Sequence, residues 1–204
     1  MFTGIVSAIG QITQVTPLGS SADDGVRLTV QANDFDMSRV KLGDSIAIQG
    51  ACMTVVEFDQ HGFKVDVSRE SLNKTRGLDA VGEVNLEHAM RLSDTVDGHL
   101  VSGHVDGIAE VMSFEPVGES QQLRIQVPMD LSMYLAYKGS VTINGASLTV
   151  NSVEDNREGC IISINLIPHT VSVTTLKHLR AGTFVNIEID TIARYVQRML
   201  QLKS

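Results

Sequence analysis

Tryptophan is absent from this chain, and the aromatic residues together supply only 4% of it. A core built here must rest on aliphatic side chains. Cysteine is nearly absent as well, with Cys52 and Cys160 the two in 204 residues. Two thiols cannot form a disulfide framework, and they read as reduced, which fits a cytoplasmic protein. No cluster of Cys and His has zinc spacing. No apolar run approaches the roughly 20 residues needed to span a bilayer. The start, Met1-Phe2-Thr3-Gly4-Ile5-Val6, lacks the basic flank and apolar stretch of a signal peptide. Basic residues are in deficit, since 16 Lys and Arg face 24 Asp and Glu for a net charge of −8. That argues against a nucleic-acid or anionic-membrane partner, because both attract basic surfaces. A small ligand stays open. A Gly-rich phosphate loop, a dinucleotide fingerprint and an ordered Ser/His/Asp set are also missing.

What the chain does contain is itself, twice. Gly50-Ala51-Cys52-Met53-Thr54-Val55 matches Gly145-Ala146-Ser147-Leu148-Thr149-Val150. Thr3-Gly4-Ile5-Val6 pairs with Ser102-Gly103-His104-Val105, and Asp66 to Leu72 pairs with Asn165 to Val171. Val84-Asn85-Leu86-Glu87 pairs with Val185-Asn186-Ile187-Glu188. The four matches are colinear and the offset between copies drifts only by a few residues, as a duplication with small loop changes requires. Each copy is about 100 residues, too long for a solenoid unit and long enough for a domain. The boundary falls near Asp94 to Gly98, which gives units 1–97 and 98–189 and a tail 190–204.

Within each copy the pattern is β. Val26, Leu28 and Val30 alternate with polar residues, as do Ile46 and Ile48, Met53 and Val55, and Val65 and Val67. Ile143, Leu148 and Val150, Ile162 and Ile164, and Ile187 and Ile189 repeat the pattern in the second copy. Period two over short runs broken by Gly, Asn and Asp predicts half-buried strands. Many short strands in so few residues predict an all-β protein of two small closed barrels, because closure removes exposed edges. Short helical turns are predicted at 34–40 and 130–137. In the tail, Ile192, Tyr195, Val196, Met199 and Leu200 form a one-face helical stripe that Asp190 or Thr191 caps. A helix this short is marginal alone. Its stripe either covers its own barrel or packs against helices of sister subunits.

Strand geometry sorts the candidate site residues. Residues two apart share a face, so Cys52 and Thr54 lie together, as do Ser147 and Thr149. These small polar pairs either face solvent or line two related pockets. Gly4 and Gly103 hold matched positions, where a strand glycine marks a bulge or a backbone close to a ligand. His104 answers to Ile5, and Cys52 to Ser147. An imidazole present in one copy alone is either a surface residue or an acid/base, since this side chain titrates near neutrality. Cys52 is either a nucleophile or a small hydrophobe. His99, five residues from His104, would face the opposite side of a strand.

Taken in order, Met1 to Val6, Gly50 to Val55, Ser102-Gly103-His104, Lys138-Gly139, Gly145 to Val150 and Val185 to Asp190 resemble the riboflavin synthases. The resemblance covers nearly the whole chain. It implies two six-stranded Greek-key barrels, a C-terminal helix and a homotrimer held largely by those helices. It implies the final step of riboflavin biosynthesis: two molecules of 6,7-dimethyl-8-ribityllumazine dismutate to riboflavin and 5-amino-6-(D-ribitylamino)uracil, with no cofactor. The reacting pair would form between the N-terminal barrel of one subunit and the C-terminal barrel of its neighbour. By motif, the first pocket would use Cys52, Met53, Thr54 and the run Asp66, Val67, Ser68, Arg69, Glu70 and Ser71, with Gly103, His104 and Val105 reaching in from the second copy. The second would use Lys138, Ser147, Leu148, Thr149 and the run Asn165, Leu166, Ile167, Pro168, His169 and Thr170, with Gly4, Ile5 and Val6 reaching back. His104 would assist deprotonation of the C7 methyl. Cys52, or water near Ser45, would assist addition, and Asp190 would tune the site. Glu70 in one copy answers to His169 in the other, an inequality between the pockets. Antenna proteins of luminous bacteria share the fold, but intact Ser102-Gly103-His104 and Ser147-Leu148-Thr149 favour an enzyme. A flavin-reductase-like barrel would need a nicotinamide-binding domain, which is missing.

Overall fold

The computed structural model describes residues 1–21 and 23–202. The first copy folds as β1 (Ala8–Pro17), β2 (Val26–Gln31), β3 (Ser45–Ile48), β4 (Ala51–Phe58), β5 (Gly62–Val67), the helix α1 (Arg69–Lys74) and β6 (Gly82–His88). The six strands close into a barrel in the order β1-β2-β5-β4-β3-β6, every pair antiparallel. The crossings from β2 to β3 and from β5 to β6 make it a Greek key. Met53, Val55, Val65, Leu28 and Ile48 point inward and are buried with their neighbours in one aliphatic cluster. The alternation read from the sequence is the physical cause, because every second side chain of a closed sheet has nowhere to go but the core.

The second copy repeats the plan with β7 (Gly107–Val117), β8 (Ser120–Pro128), α2 (Met129–Ser132), β9 (Ser140–Ile143), β10 (Ala146–Thr149), β11 (Ser152–Asn156), β12 (Gly159–Leu166), α3 (Pro168–Ser172) and β13 (Phe184–Ile189). Its sheet has seven strands, β10-β9-β13-β7-β8-β12-β11, and curls without closing, where a closed barrel of six was expected. The extra strand is β4's counterpart cut in two. β10 pairs with β9 as the start of β4 pairs with β3, and β11 pairs with β12 as the end of β4 pairs with β5. The two edge strands are joined directly through Val150 and Asn151. Even the irregularities match, since the β1–β2 register slips between Ile12 and Gln14 and the β7–β8 register between Val111 and Ser113.

The predicted turn at 34–40 is a 3-10 turn over Met37–Arg39, and that at 130–137 is the short α2. The tail is α4 (Thr191–Gln201), and Asp190 caps it by accepting from the Ile192 N–H at 2.8 Å. Its stripe does not cover its own barrel. Ile192, Tyr195, Val196, Met199 and Leu200 are all exposed, as is Leu202. No helix among the described residues is long and apolar enough to cross a membrane.

The barrels meet about a local two-fold. The hairpin turns Gln49-Gly50 and Asn144-Gly145 both have positive φ at each position, the geometry that Asn-Gly favours in a two-residue hairpin. They lie back to back, so a Cβ on Gly50 would stand 2.8 Å from the Gly145 nitrogen, and one on Gly145 would stand 2.9 Å from the Gly50 nitrogen. Around them runs a buried polar network. Asn85 donates to the Asn144 carbonyl and accepts from the Thr175 N–H, while Asn186 donates to the Gln49 carbonyl and accepts from the Arg76 N–H.

Candidate functional site

The segment before each barrel's first strand docks on the other barrel. The Ser147 N–H donates to the Gly4 carbonyl at 2.7 Å, and the Cys52 N–H donates to the Gly103 carbonyl at 2.8 Å. Val6 packs on the second core and Val105 on the first. Phe2 and Val101 bridge where the segments cross. This exchange explains the two glycines more directly than a bulge or a bound ring does. Both have positive φ, +76° and +78°. A Cβ on Gly4 would stand 2.6 Å from the Ser147 Cβ, and one on Gly103 would stand 2.7 Å from the Cys52 Cβ. The crowding group is the protein itself.

Two residues that sequence reasoning passed over hold these segments down. Glu87 accepts from the Thr3 N–H and hydroxyl at 2.7 and 2.8 Å and from the Gly4 N–H at 3.1 Å. Glu188 accepts from the Ser102 and Gly103 N–H groups at 2.7 and 3.0 Å. Burial pushes both carboxyls above their usual range, and the N–H donors pull part of the way back. The signal was in the sequence, because both end the matched Val-Asn-Leu/Ile-Glu runs. Their task was invisible until the segments were seen to exchange.

The first pocket is a cavity of about 250 Å³ lined by Cys52, Met53, Glu70, Ser71, Lys74, Thr75 and the incoming Gly103, His104 and Val105. Sequence reasoning did not name Lys74 and Thr75. Ser68 caps α1, its Oγ accepting from the Ser71 N–H at 3.1 Å, and so presents Glu70 and Ser71 to the cavity. The rest of the predicted run is spent elsewhere. Asp66 forms a two-point ion pair with Arg27, the Arg69 guanidinium donates to the Asp24 carbonyl, and Val67 is buried in the core. Thr54 is exposed beside Ser45, its cross-strand neighbour, on the outer face that carries Cys52. The cavity that Ser45 lines is a neighbouring one, with Arg39 and His88.

Around Ser147 the chemistry differs. Its hydroxyl is hydrogen-bonded to His99 Nδ1 at 2.7 Å, and His99 Nε2 to the Thr142 hydroxyl at 3.2 Å. Burial pushes the His99 imidazole below its ordinary value, and the Asp190 carboxylate pulls the other way. The strand argument that set His99 opposite His104 gives way to a bend at Ser102-Gly103, and His104 lines the cavity beside Cys52 while His99 bonds to Ser147. Thr149, Asn165, Ile167 and His169 are exposed nearby, whereas Leu148 and Leu166 point into the core. Pro168 opens α3, and the Thr170 carbonyl accepts from the Thr174 hydroxyl. Ile5, the counterpart of His104, is exposed. Lys138 lies at the far end of the β9–β10 hairpin from the Gly145 turn, with its ammonium on Asn151 at 3.0 Å.

The family model "Lumazine binding domain" matches residues 3–89 and again 102–190. Riboflavin synthase from Photobacterium phosphoreum is 42% identical over 202 residues, covering 98% of this chain and 89% of that protein. The Bacillus subtilis (strain 168) riboflavin synthase is 37% identical over 202 residues, covering 98% and 90%. Among solved structures, LumP complexed with 6,7-dimethyl-8-(1'-D-ribityl) lumazine superposes with a TM-score of 0.78 at 25% identity, covering 92% of this chain and 98% of that one. LumP complexed with riboflavin gives 0.79 at 27%, covering 93% and 99%.

Proposed function

The chain belongs to the riboflavin synthase family, and from that membership we propose how its own residues divide the reaction. Riboflavin synthases convert two molecules of 6,7-dimethyl-8-ribityllumazine into riboflavin and 5-amino-6-(D-ribitylamino)uracil. A four-carbon unit passes between identical substrates, and the two products together contain every atom of the two reactants. The enzyme's contribution is to hold two like molecules together and to move protons between them.

The observation that carries the reading is the reciprocal exchange at Gly4–Ser147 and Gly103–Cys52. It supports two pockets of one plan and unequal chemistry, the cavity beside Cys52 being the first. Each takes one substrate, its pyrimidine edge on strand backbone and its ribityl chain on hydroxyls near α1 or α3. In the first, His104 assists removal of the C7-methyl proton, and the carbanion that remains is delocalised over the ring. Addition to the second ring draws on Cys52 or on water held near Ser45. In the second, the Ser147–His99 pair is a further route for a proton, since a buried neutral imidazole bonded to a hydroxyl passes one readily. Asp190 faces His99 and tunes it.

Units 1–97 and 98–189 act as the two lumazine-binding halves, and 190–204 as an assembly helix whose last two residues lie outside the described ones. The exposed stripe of α4 supports a homotrimer, in which pockets of neighbouring subunits face each other. Cytoplasmic placement is supported by the free thiols Cys52 and Cys160. Neither nucleic acid nor membrane is a partner, in keeping with the net charge of −8. The test is to incubate the purified protein with 6,7-dimethyl-8-ribityllumazine and no cofactor. Riboflavin absorbance should rise, with one riboflavin formed per two substrates consumed. A stoichiometric fluorescent complex without turnover would make the chain an antenna protein instead.

A further inference from the structure

The segment that carries His104 is fastened from two sides, and its counterpart in the first copy from one. Both segments share the carboxylate clamp, Glu188 here and Glu87 there. The second has an additional acid. The Asp106 N–H donates to the Ile187 carbonyl at 2.9 Å, as the Ser7 N–H donates to the Leu86 carbonyl in the first copy. Ser7 brings no charge, whereas the Asp106 carboxylate accepts from the Ile189 N–H at 2.9 Å and from the Arg194 guanidinium of α4 at 2.5 Å. The Asp106 side chain is only 12% exposed, so its partner matters. The Arg194 side chain is 47% exposed, so solvent screens the pair in part, and the geometry of the contact carries more of its effect than the charge alone. The Ser102 and Thr191 hydroxyls add a further link between the segment and the helix, at 3.2 Å.

We propose that Arg194 is a positioning residue: its pair with Asp106 clamps the Ser102–Asp106 segment to α4 and thereby sets where His104 stands beside Cys52, so that the first pocket works only when the helix is in place. The inference rests on the reading of His104 as the proton acceptor of that pocket. The electrostatics run the same way. Asp106 and Glu188 are like charges under one short segment, and Asp106 adds to the burial that already raises the cost of ionising Glu188. Arg194 offsets both, with Tyr134 beside it. Without the guanidinium, Glu188 takes up its proton at a higher pH and releases the Ser102 and Gly103 N–H groups that lead into His104.

The test compares Arg194→Met, Arg194→Lys, the double variant Asp106→Ser with Arg194→Met, and His104→Gln, with sedimentation confirming assembly. Arg194→Met should lower kcat on the order of tenfold while KM stays within about twofold. The acid limb of its kcat profile should move to higher pH. Arg194→Lys should recover part of the loss. The double variant relieves the unpaired acid without restoring the clamp, so it should remain impaired. An Arg194→Met enzyme with unchanged kcat and acid limb would overturn the proposal, as would a double variant as active as the parent. A His104→Gln enzyme with full turnover would instead remove the reading underneath it.

Discussion

His104 is the exposed residue of a segment that a glycine and a buried carboxylate hold against Cys52. Losing its imidazole should therefore alter chemistry more than shape. His104→Gln is expected to lower kcat by about 100-fold or more, within the range for a general base, and to change the dissociation constant of riboflavin little. Stopped assays beside a fluorescence titration separate the two, and unchanged turnover would end its acid/base role. Glu87 makes a different kind of prediction. Its carboxyl lies above the usual value of 4.5 in the folded chain, chiefly through burial. An acid whose folded value is raised lends stability below its unfolded value and loses it as pH rises through the folded one. The stability of the parent relative to Glu87→Gln should fall as the pH climbs from about 4 towards neutrality, followed by denaturation at several pH values. A difference that grows with pH would mean that the three donors outweigh burial. At this scale the sequence revealed the unequal pairs, Cys52 against Ser147 and His104 against Ile5, because duplication makes every departure visible. It hid Glu87, Glu188 and the Ser147–His99 bond, whose partners lie 48 to 86 residues away and meet only after the segments exchange.

Strands and helices were more legible than their partners. Period-two alternation located the strands because a small barrel leaves each one a wet face and a dry face. It missed the cut between β10 and β11, since Val150 is as apolar as Val55 and the break lies in pairing rather than pattern. The helix α4 shows the same limit from the other side. Its stripe and its Asp190 cap were readable, while the choice between its own barrel and another subunit depended on the direction in which the chain leaves β13. That direction leaves the stripe exposed, and an 11-residue helix with an open apolar face needs a partner to persist. A chain ending at Asp190 should sediment as a monomer, and the full chain as the proposed trimer. It should also lose most turnover, because each reacting pair of pockets would then lack its other half. A truncated chain that still sediments as a trimer would move the assembly surface from the helix to the barrels.

The molecule as a whole is held by its own symmetry. Two barrels of similar sequence meet through hairpin turns packed back to back, and the faces there are polar rather than greasy. Asn186 is 1% exposed and bonds to the Arg76 N–H, the Arg76 carbonyl and the Gln49 carbonyl. Asn85 does matching work from the other side. Asn186→Ala would leave the buried Gln49 carbonyl without its partner, at a cost of about 1–3 kcal/mol, and would untie the Arg76 N–H and carbonyl, which solvent can reach. A total loss of about 1–3 kcal/mol is expected, concentrated at the junction and small within either core. Each half buries its own hydrophobic cluster, so the loss should appear as uncoupling. Denaturant should unfold the parent in one transition and Asn186→Ala in two, with riboflavin binding lost at the first. Binding would go early because both pockets borrow a segment from the opposite barrel, and barrels that part take Gly4 from Ser147 and Gly103 from Cys52. A variant that unfolds in one step at lower denaturant, keeping its ligand throughout, would show that the exchanged segments couple the halves without the asparagine network.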